Sequence, residues 1–277
     1  MRIMIGYDGS TSAEAAIDDL DRAGLPVDTE ARVLSVAEQQ IHPVIDAMSE
    51  ELCNRLQRHF YGWDVQLETP TGAAADMILR RAVEWAADLI VVGTHGRSGL
   101  SRLMLGSVSN AIARDAACSV RVARARPHRE GPLRLLIGHD GSSLADIVVN
   151  AVCRRSWPAN TEVRILTVIE VLVATRADQM AGIAGTVDEI NVEQHRWLQY
   201  LGEQSVQRLA GAGLTASSTV VDGDPKETLI SEAGRWKADT VFVGARGLGV
   251  VGRLLLGSVS GAVVTHAPCT VEIVRNH

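Results

Sequence analysis

An internal repeat constrains the fold of this chain more than any other feature of its sequence. Arg2–Ser10 aligns with Arg134–Ser142 at an offset of 132 residues, and the two stretches share Arg, Ile, Gly, Asp, Gly and Ser at matching positions. From Gly72 onward the offset is 151 residues, so that Gly72 matches Gly223. The 277 residues therefore predict two copies of one structural unit, each of roughly 140 residues and large enough for its own hydrophobic core.

Each copy alternates short apolar runs with longer segments of helical pattern. Strands are predicted at 2–7, 31–37, 64–68, 89–92 and 119–123 in the first copy and at 133–139, 162–169, 215–221, 240–243 and 270–274 in the second. Helices are predicted at about 43–60 and 72–86, and again at 188–211 and 225–236. A further helix follows the first strand, where Thr11 with Glu14 three residues later is typical of a capping box.

This alternation predicts parallel βαβ units. Because such crossovers are right-handed, the expected fold class is α/β, with two tandem doubly wound parallel five-stranded sheets, each flanked by helices. In sheets of this kind a ligand binds at the carboxyl ends of the strands, where the strand order reverses. Here that place is the end of the first and fourth strand of each copy.

The extent of the two copies, and the composition of the stretch between them, predict the domain boundaries. We expect a first domain at residues 1–125, a linker at 126–132 and a second domain at 133–277. Prolines, a glycine and charged residues around the linker favour an exposed connection. The second copy holds 19 extra residues, for which 171–190 is the expected place.

A glycine motif follows the fourth predicted strand of each copy. The stretch Gly93–Ser107 reads GTHGRSGLSRLMLGS and Gly244–Ser258 reads GARGLGVVGRLLLGS, so both have the spacing G-x2-G-x9-G-S. Glycines let the backbone approach a ligand closely, and the first N–H groups and the dipole of a following helix favour an anion. The motif therefore predicts a nucleotide site in each copy.

The repeated motif, together with the Asp-Gly-Ser turns at Asp8–Ser10 and Asp140–Ser142, resembles the universal stress protein family in its tandem-domain form. The resemblance covers nearly all of the chain. Members of that family that bind ATP carry this glycine spacing after the fourth strand. The resemblance implies a Rossmann-like strand order of 3-2-1-4-5, ATP with Mg²⁺ bridging its phosphates, and a homodimer.

The resemblance, together with the polar and charged residues in and beside the glycine loops, indicates the cofactor-binding residues. In the first copy they are Asp8, Gly9, Ser10, Val36, Gly93, His95, Gly96, Arg97, Gly106, Ser107, Val108 and Ser109. In the second copy they are Asp140, Gly141, Ser142, Val168, Gly244, Arg246, Gly247, Gly257, Ser258, Val259 and Ser260. The glycines and the Gly-Ser pairs would hold the triphosphate, the aspartates would accept hydrogen bonds from the ribose or base, and the backbone of the two valines would contact the adenine.

Several of these residues also have a purely structural interpretation. An aspartate in a turn braces that turn or caps the next helix. Ser107 and Ser258 are expected to be helix N-caps, and each loop cation, together with His95, fits an exposed loop as well as a phosphate contact. These alternatives remain open at this point.

Motifs for catalysis are absent from the sequence. There is no G-x4-G-K-[ST], no H-R-D catalytic loop and no H-E-x-x-H, and no base or carboxylate cluster accompanies the glycine loops. We therefore expect an ATP-binding, nucleotide-responsive regulator in stress adaptation, with a possible protein partner. A slow ATPase or adenylyl-transfer enzyme on the same fold, and an interaction module that binds no nucleotide, are the alternatives.

Charge and hydropathy exclude two broad classes of function. A net charge of −6 with an isoelectric point near 5.8 argues against a general nucleic-acid surface, which needs a basic face. No run of 18 apolar residues predicts a membrane span, and the N-terminus lacks the pattern of a signal peptide. We expect a cytoplasmic protein with buried, reduced cysteines, whose apolar edge strands 119–123 and 270–274 are covered by pairing between domains or protomers.

Overall fold

The computed structural model describes residues 1–37, 43–96, 105–125, 131–170, 184–246 and 256–276, without the side chains of 43–46 and 184–188. In the first repeat the strands are β1 (Arg2–Gly6), β2 (Glu30–Leu34), β3 (Asp64–Glu68), β4 (Leu89–Gly93) and β5 (Ser119–Ala123). The helices of this repeat are α1 (Thr11–Asp18), α2 (Pro43–His59), α3 (Ala74–Glu84) and α4 (Ser107–Asp115). A short 3₁₀ helix, Asp19–Arg22, follows α1.

The second repeat has the same order of elements. Its strands are β6 (Arg134–Gly138), β7 (Glu162–Ile169), β8 (Thr215–Asp222), β9 (Thr240–Gly244) and β10 (Thr270–Val274). Its described helices are α5 (Ser143–Cys153), α6 (Ala184–Gly211), α7 (Pro225–Arg235) and α8 (Ser258–His266).

The ten strands form one sheet in the order β3-β2-β1-β4-β5-β10-β9-β6-β7-β8. Within each repeat the strands are parallel and follow the order 3-2-1-4-5, which confirms the doubly wound fold. The two five-stranded sheets join where β5 and β10 pair antiparallel. The predicted edge strands β5 and β10 are therefore covered by pairing between the repeats of one chain.

Burial on both faces explains the apolar strands. All five residues of β4, β5 and β10 are buried, as expected for parallel strands that lie between two layers of helices. One hydrophobic cluster extends through both repeats and includes Ile90, Val120, Val241 and Val271. The junction of the sheets is thus part of a continuous core.

The first helix begins differently from the capping box predicted at Thr11. Ser10 is the N-cap, with an extended backbone at φ −73° and ψ 159°, and its hydroxyl accepts a hydrogen bond from the Ala13 N–H. Glu14 bonds to Tyr7 and Arg55 instead of closing the cap. The prediction was wrong because Ser10 already supplies the acceptor, one residue earlier.

The extra length of the second repeat lies partly in a helix. Helix α6 has 28 residues, whereas its counterpart α2 has 17 residues. Since α6 begins at Ala184, the end of the stretch predicted as an insertion is helical, and 171–183 lie outside the described residues. The 126–130 part of the predicted linker also lies outside them.

Candidate functional site

Two cavities lie at the carboxyl ends of the central strands, one in each repeat. Site one, beside the ends of β1 and β4, has a volume of about 90 Å³, and site two, beside the ends of β6 and β9, has about 290 Å³. Of the predicted residues, Asp8, Val36, Gly93, His95, Gly96, Val108 and Ser109 line site one. Site two is lined by the predicted residues Asp140, Val168, Gly244, Arg246, Gly257, Ser258, Val259 and Ser260.

The remaining predicted residues do not line these cavities or cannot be placed. Gly9, Ser10, Gly106 and Ser107 are adjacent to the lining of site one without belonging to it. Gly141 and Ser142 stand in the same relation to site two. Arg97 and Gly247 lie outside the described residues.

The Asp-Gly-Ser turn has the same geometry in both repeats. Asp8 Oδ1 accepts a hydrogen bond from the Ser10 N–H at 3.0 Å, and Asp140 Oδ1 accepts one from the Ser142 N–H at 3.0 Å. Gly9 and Gly141 have φ values of +72° and +81°, in the left-handed region that favours glycine. Each aspartate therefore braces its own turn at the edge of a cavity.

The two serines of these turns serve as helix caps. The hydroxyl of Ser10 accepts from the Ala13 N–H at 3.1 Å and that of Ser142 from the Ala145 N–H at 3.2 Å. The Ser10 hydroxyl also donates to the His95 carbonyl at 3.4 Å. In both repeats this serine thus fixes the start of the first helix beside the cavity.

The glycine loop approaches the aspartate of site one very closely. A Cβ atom added to Gly96 would lie 2.9 Å from Asp8 Oδ2. A Cβ atom on Gly93 would lie 2.4 Å from the Ser12 carbonyl oxygen, at the start of α1. These contacts explain why glycine occupies both positions, since a side chain at Gly93 would displace β4 from α1 and one at Gly96 would displace the glycine loop from Asp8.

A glycine precedes each of the helices α4 and α8 as the N-cap, and the prediction that Ser107 and Ser258 are N-caps was wrong. Gly106 and Gly257 are the N-cap residues, with φ near the helical value and an extended ψ of 157° and 158°. Their N–H groups donate to the carbonyls of Thr94 and Ala245 at 2.7 Å. This bond holds the cap against the preceding strand, so that the following serine becomes the first helical residue.

A glycine cap leaves the helix N-terminus without a side-chain acceptor. No side-chain cap bond is made at either Gly106 or Gly257. The first N–H groups of a helix need acceptors, and together with the helix dipole they favour an anion. An uncapped helix N-terminus therefore lies beside each cavity. The first helical residues, Ser107 and Ser258, are exposed.

The second serine of each helix has a structural partner. The Ser109 hydroxyl donates to the Gly93 carbonyl at 2.6 Å, and the Ser260 hydroxyl donates to the Gly244 carbonyl at 2.5 Å. Each bond fixes the first turn of the helix to the end of the neighbouring strand. The hydrogen of each hydroxyl is used in this bond, so the oxygen can still accept hydrogen bonds through its lone pairs but cannot donate another.

The family model of the universal stress protein family matches residues 1–124 and again residues 133–275. The chain belongs to the universal stress protein family. A universal stress protein of Mycobacterium tuberculosis is 28% identical over 199 residues, which cover 68% of this chain and 62% of the relative. The chain thus matches less than two thirds of the length of that relative.

Solved structures of similar fold extend over the whole chain. A universal stress protein from Archaeoglobus fulgidus is 20% identical, with a TM-score of 0.65, and the match covers 100% of this chain and 98% of that one. A functionally unknown protein from Pseudomonas aeruginosa is 15% identical, with a TM-score of 0.69 and coverage of 99% and 92%. At these identities the likeness shows that the fold is shared.

The two universal stress protein repeats differ at the residue after the first strand. In the first repeat this residue is Tyr7, whose hydroxyl donates to Glu14, and Glu14 also accepts from Arg55 at 2.6 Å. Burial and the neighbouring Glu14 carboxylate raise the pKa of Tyr7. Tyr7 therefore stays protonated as a donor at the rim of site one.

The equivalent residue of the second repeat is His139, which sequence reasoning missed. Its Nδ1 accepts a hydrogen bond from the Gly141 N–H at 3.2 Å, which places the proton of the neutral ring on Nε2. Nε2 is buried without a hydrogen-bond partner, as is Nε2 of His95 in site one. Burial lowers the pKa of His139. The mismatch with Tyr7 in the repeat alignment was the available signal.

Neither cavity is built as a protein metal centre within the described residues. That part of the chain contains no group of three or more His, Cys, Asp or Glu side chains that could hold a metal ion. Its four cysteines carry free thiols, and Cys53, Cys118 and Cys269 are buried. In the same part of the chain, no helix combines the length and apolar character needed to cross a membrane.

Proposed function

We propose that this universal stress protein binds ATP, one molecule in each repeat, and acts as a nucleotide-responsive regulator in stress adaptation. The observation that carries the proposal is the repeated pairing of a cavity with an uncapped helix N-terminus. At both places a glycine replaces the side-chain cap, and the neighbouring strand end has glycines whose Cβ positions are occupied by other atoms. This arrangement suits an anionic group that approaches the backbone closely.

The residues of each cavity suggest how a nucleotide would lie. The triphosphate would contact the N–H groups at Ser107 or Ser258 and the glycine loop, with Arg246 as a nearby cation in site two. The half-buried Val36 and Val168 line the same two cavities, and their backbone would contact the adenine. The buried Nε2–H of His139 is a donor that needs an acceptor. A ligand oxygen or a water molecule can accept its hydrogen bond.

A magnesium ion would arrive with the nucleotide. Mg²⁺ is usually held by substrate phosphates, waters and one or two carboxylates. In this chain Asp8 and Asp140 are the carboxylates that line the two cavities. Asp8 and Asp140 would therefore hold the ion, which would neutralise part of the phosphate charge.

The regulatory role rests on occupancy of the sites. A ligand can shift a conformational equilibrium only through contacts that differ between two states. The glycine loops and the helices α4 and α8 are the elements that ATP would contact, and a protein partner would recognise their changed surface. We further propose a cytoplasmic homodimer whose domains are 1–125 and 133–277. Because β5 and β10 already pair with each other, the dimer would use another surface.

The test is a calorimetric titration with ATP of the intact chain and of Ser107→Asp and Ser258→Asp. Aspartate in the first helical turn is favourable to the helix dipole, so these changes preserve the helix, while the new carboxylate repels phosphate. Ser107→Asn and Ser258→Asn are the neutral controls. We expect two sites in the intact chain, one in each aspartate variant and two in each asparagine variant. Two ATP sites in either aspartate variant, as in the intact chain, would overturn the placement.

A further inference from the structure

An arginine follows the last strand of each repeat and contacts a helix of the other repeat. Arg124 comes directly after β5, and its Nη2 donates to the Val264 and Thr265 carbonyls of α8 at 2.7 and 2.8 Å. Arg124 Nη1 donates to the Cys269 carbonyl at 3.4 Å. The guanidinium of the first repeat therefore caps the C-terminus of α8, which belongs to the second repeat.

The reverse contact is made by the equivalent residue. Arg275 comes directly after β10, and its Nη2 donates to the Ala113 and Arg114 carbonyls of α4 at 2.6 and 3.3 Å. Its Nη1 donates to the Cys118 carbonyl at 3.4 Å. The two arginines are half-buried and match at the repeat offset, so the caps cross between the repeats.

The helices that receive these caps are the ones that begin at the two cavities. Each has nine residues, and its first turn is tied to its own repeat through Ser109 or Ser260. The last four carbonyls of a helix lack partners within the helix, and a cation there is favourable to the helix dipole. Each helix is therefore fixed at its N-terminus by one repeat and at its C-terminus by the other.

We propose that Arg124 and Arg275 are positioning residues, each of which holds the anion-binding helix of the opposite repeat. Site one then depends on Arg275, although every described residue that lines site one belongs to the first repeat. Site two depends in the same way on Arg124. The expected effect on ATP binding rests on the proposed function, whereas the expected effect on the order of the helices does not.

Arg275→Gln and Arg124→Gln form a matched pair in which each variant controls for the other. In the protein without nucleotide, Arg275→Gln accelerates amide hydrogen exchange in α4 and leaves α8 unchanged, and Arg124→Gln has the opposite pattern. In the Ser258→Asp background, which reports site one, Arg275→Gln weakens ATP binding roughly threefold to tenfold and Arg124→Gln does not. In the Ser107→Asp background, which reports site two, Arg124→Gln weakens ATP binding and Arg275→Gln does not.

Arg275→Lys and Arg124→Lys distinguish positioning from a general loss of stability. Lysine keeps the cation at the helix C-terminus, so each lysine variant recovers part of the lost protection and affinity at the opposite site. If a glutamine variant does not fold, its lysine counterpart shows a smaller shift in the same crossed pattern. Equal effects on both helices, effects on the arginine's own repeat, or no effect overturn the proposal. If the intact chain binds no ATP, the proposed function fails, and the exchange pattern still decides the role of the arginines.

Discussion

Arg121 and Glu272 lie directly opposite each other across the β5–β10 pair, with Arg121 Nη1 3.1 Å from Glu272 Oε2 and both side chains fully buried. Arg121 also contacts Asp19 at 2.6 Å, and Glu272 also pairs with Arg155. Burial acts to raise the pKa of Glu272, but Arg155 and Arg121 hold it below its usual value. The same burial raises the pKa of Asp19 despite Arg121. Oppositely charged side chains thus pair across the junction between the two repeats.

We expect Arg121→Met to lower the free energy of unfolding by about 3 kcal/mol, because it leaves the buried Asp19 without its ion-pair partner and Glu272 with Arg155 alone. The control is Arg58→Met, which removes an exposed pair with Glu51 and should cost less than about 1 kcal/mol. Denaturant unfolding followed by circular dichroism measures both. Equal losses in the two variants would mean that the buried network contributes no more than a surface pair.

Burial of His139 predicts a loss of stability in mild acid. Its pKa is lowered by burial, although Asp140 and Asp146 act to raise it and Arg208 adds to the lowering. The unfolded chain therefore binds a proton at higher pH than the folded chain does. This contribution to stability is present above about pH 6.5 and is lost as pH falls through the lower folded pKa.

The matching experiment compares unfolding free energy between pH 7.5 and pH 5 for the intact chain, His139→Gln and His59→Gln, with these pH values chosen about one unit or more from 6.5. The decline should be smaller in His139→Gln than in the intact chain. His59→Gln replaces an exposed histidine and is the surface control for the substitution itself, so the decline should be smaller in His139→Gln than in this variant. An unchanged slope in His139→Gln would contradict the assignment.

Replacement of Gly106 by leucine should abolish ATP binding at site one. A Cβ atom there would lie 3.1 Å from the Thr94 carbonyl oxygen and 3.2 Å from His95 Cα, so the cap would move away from the strand end. The backbone at Gly106 has φ −64°, which any residue adopts, and the fold should persist. Titration should then find one ATP per chain, with site two intact. Two ATP per chain would show that the phosphate lies elsewhere.

The two sites should fill in a fixed order. Site two has a cavity of about 290 Å³ and site one about 90 Å³, so ATP should enter site two with less rearrangement. In a titration, Ser258→Asp should remove the tighter of two binding steps and Ser107→Asp the weaker one. The reverse assignment would indicate that cavity volume does not set the order.

The alternation of strands and helices in two copies could be predicted from the sequence pattern. The strand order came from the family resemblance, and the sequence left open whether β5 and β10 pair within one chain or between protomers. Short apolar runs such as those of β4 and β9 alternate with helical segments in both copies, and a glycine motif is repeated. This pattern predicts a doubly wound fold, because parallel strands that are buried on both faces are apolar throughout. The sequence also marked the ends of β1 and β4 as the place of the cavities. Those predictions depend on local composition and on the repeat.

Cap positions and side-chain networks were less accessible to sequence reasoning. Ser107 and Thr11 are both of a residue type that is common at the N-cap. Hydrogen bonds from neighbouring segments nevertheless decide which residue occupies the N-cap position. Arg121, Arg124 and Arg275 gain their roles from residues more than 90 positions away. No local pattern in the sequence indicates partners at such a separation.

The most direct test of two nucleotide sites is native mass spectrometry of the intact chain with ATP and Mg²⁺, with the number of nucleotides counted per chain. The account predicts two ATP per chain, and one in Ser107→Asp or Ser258→Asp. ADP or AMP in place of ATP would favour the enzyme alternative. A chain that retains no nucleotide at any ATP concentration would contradict the account and favour an interaction module.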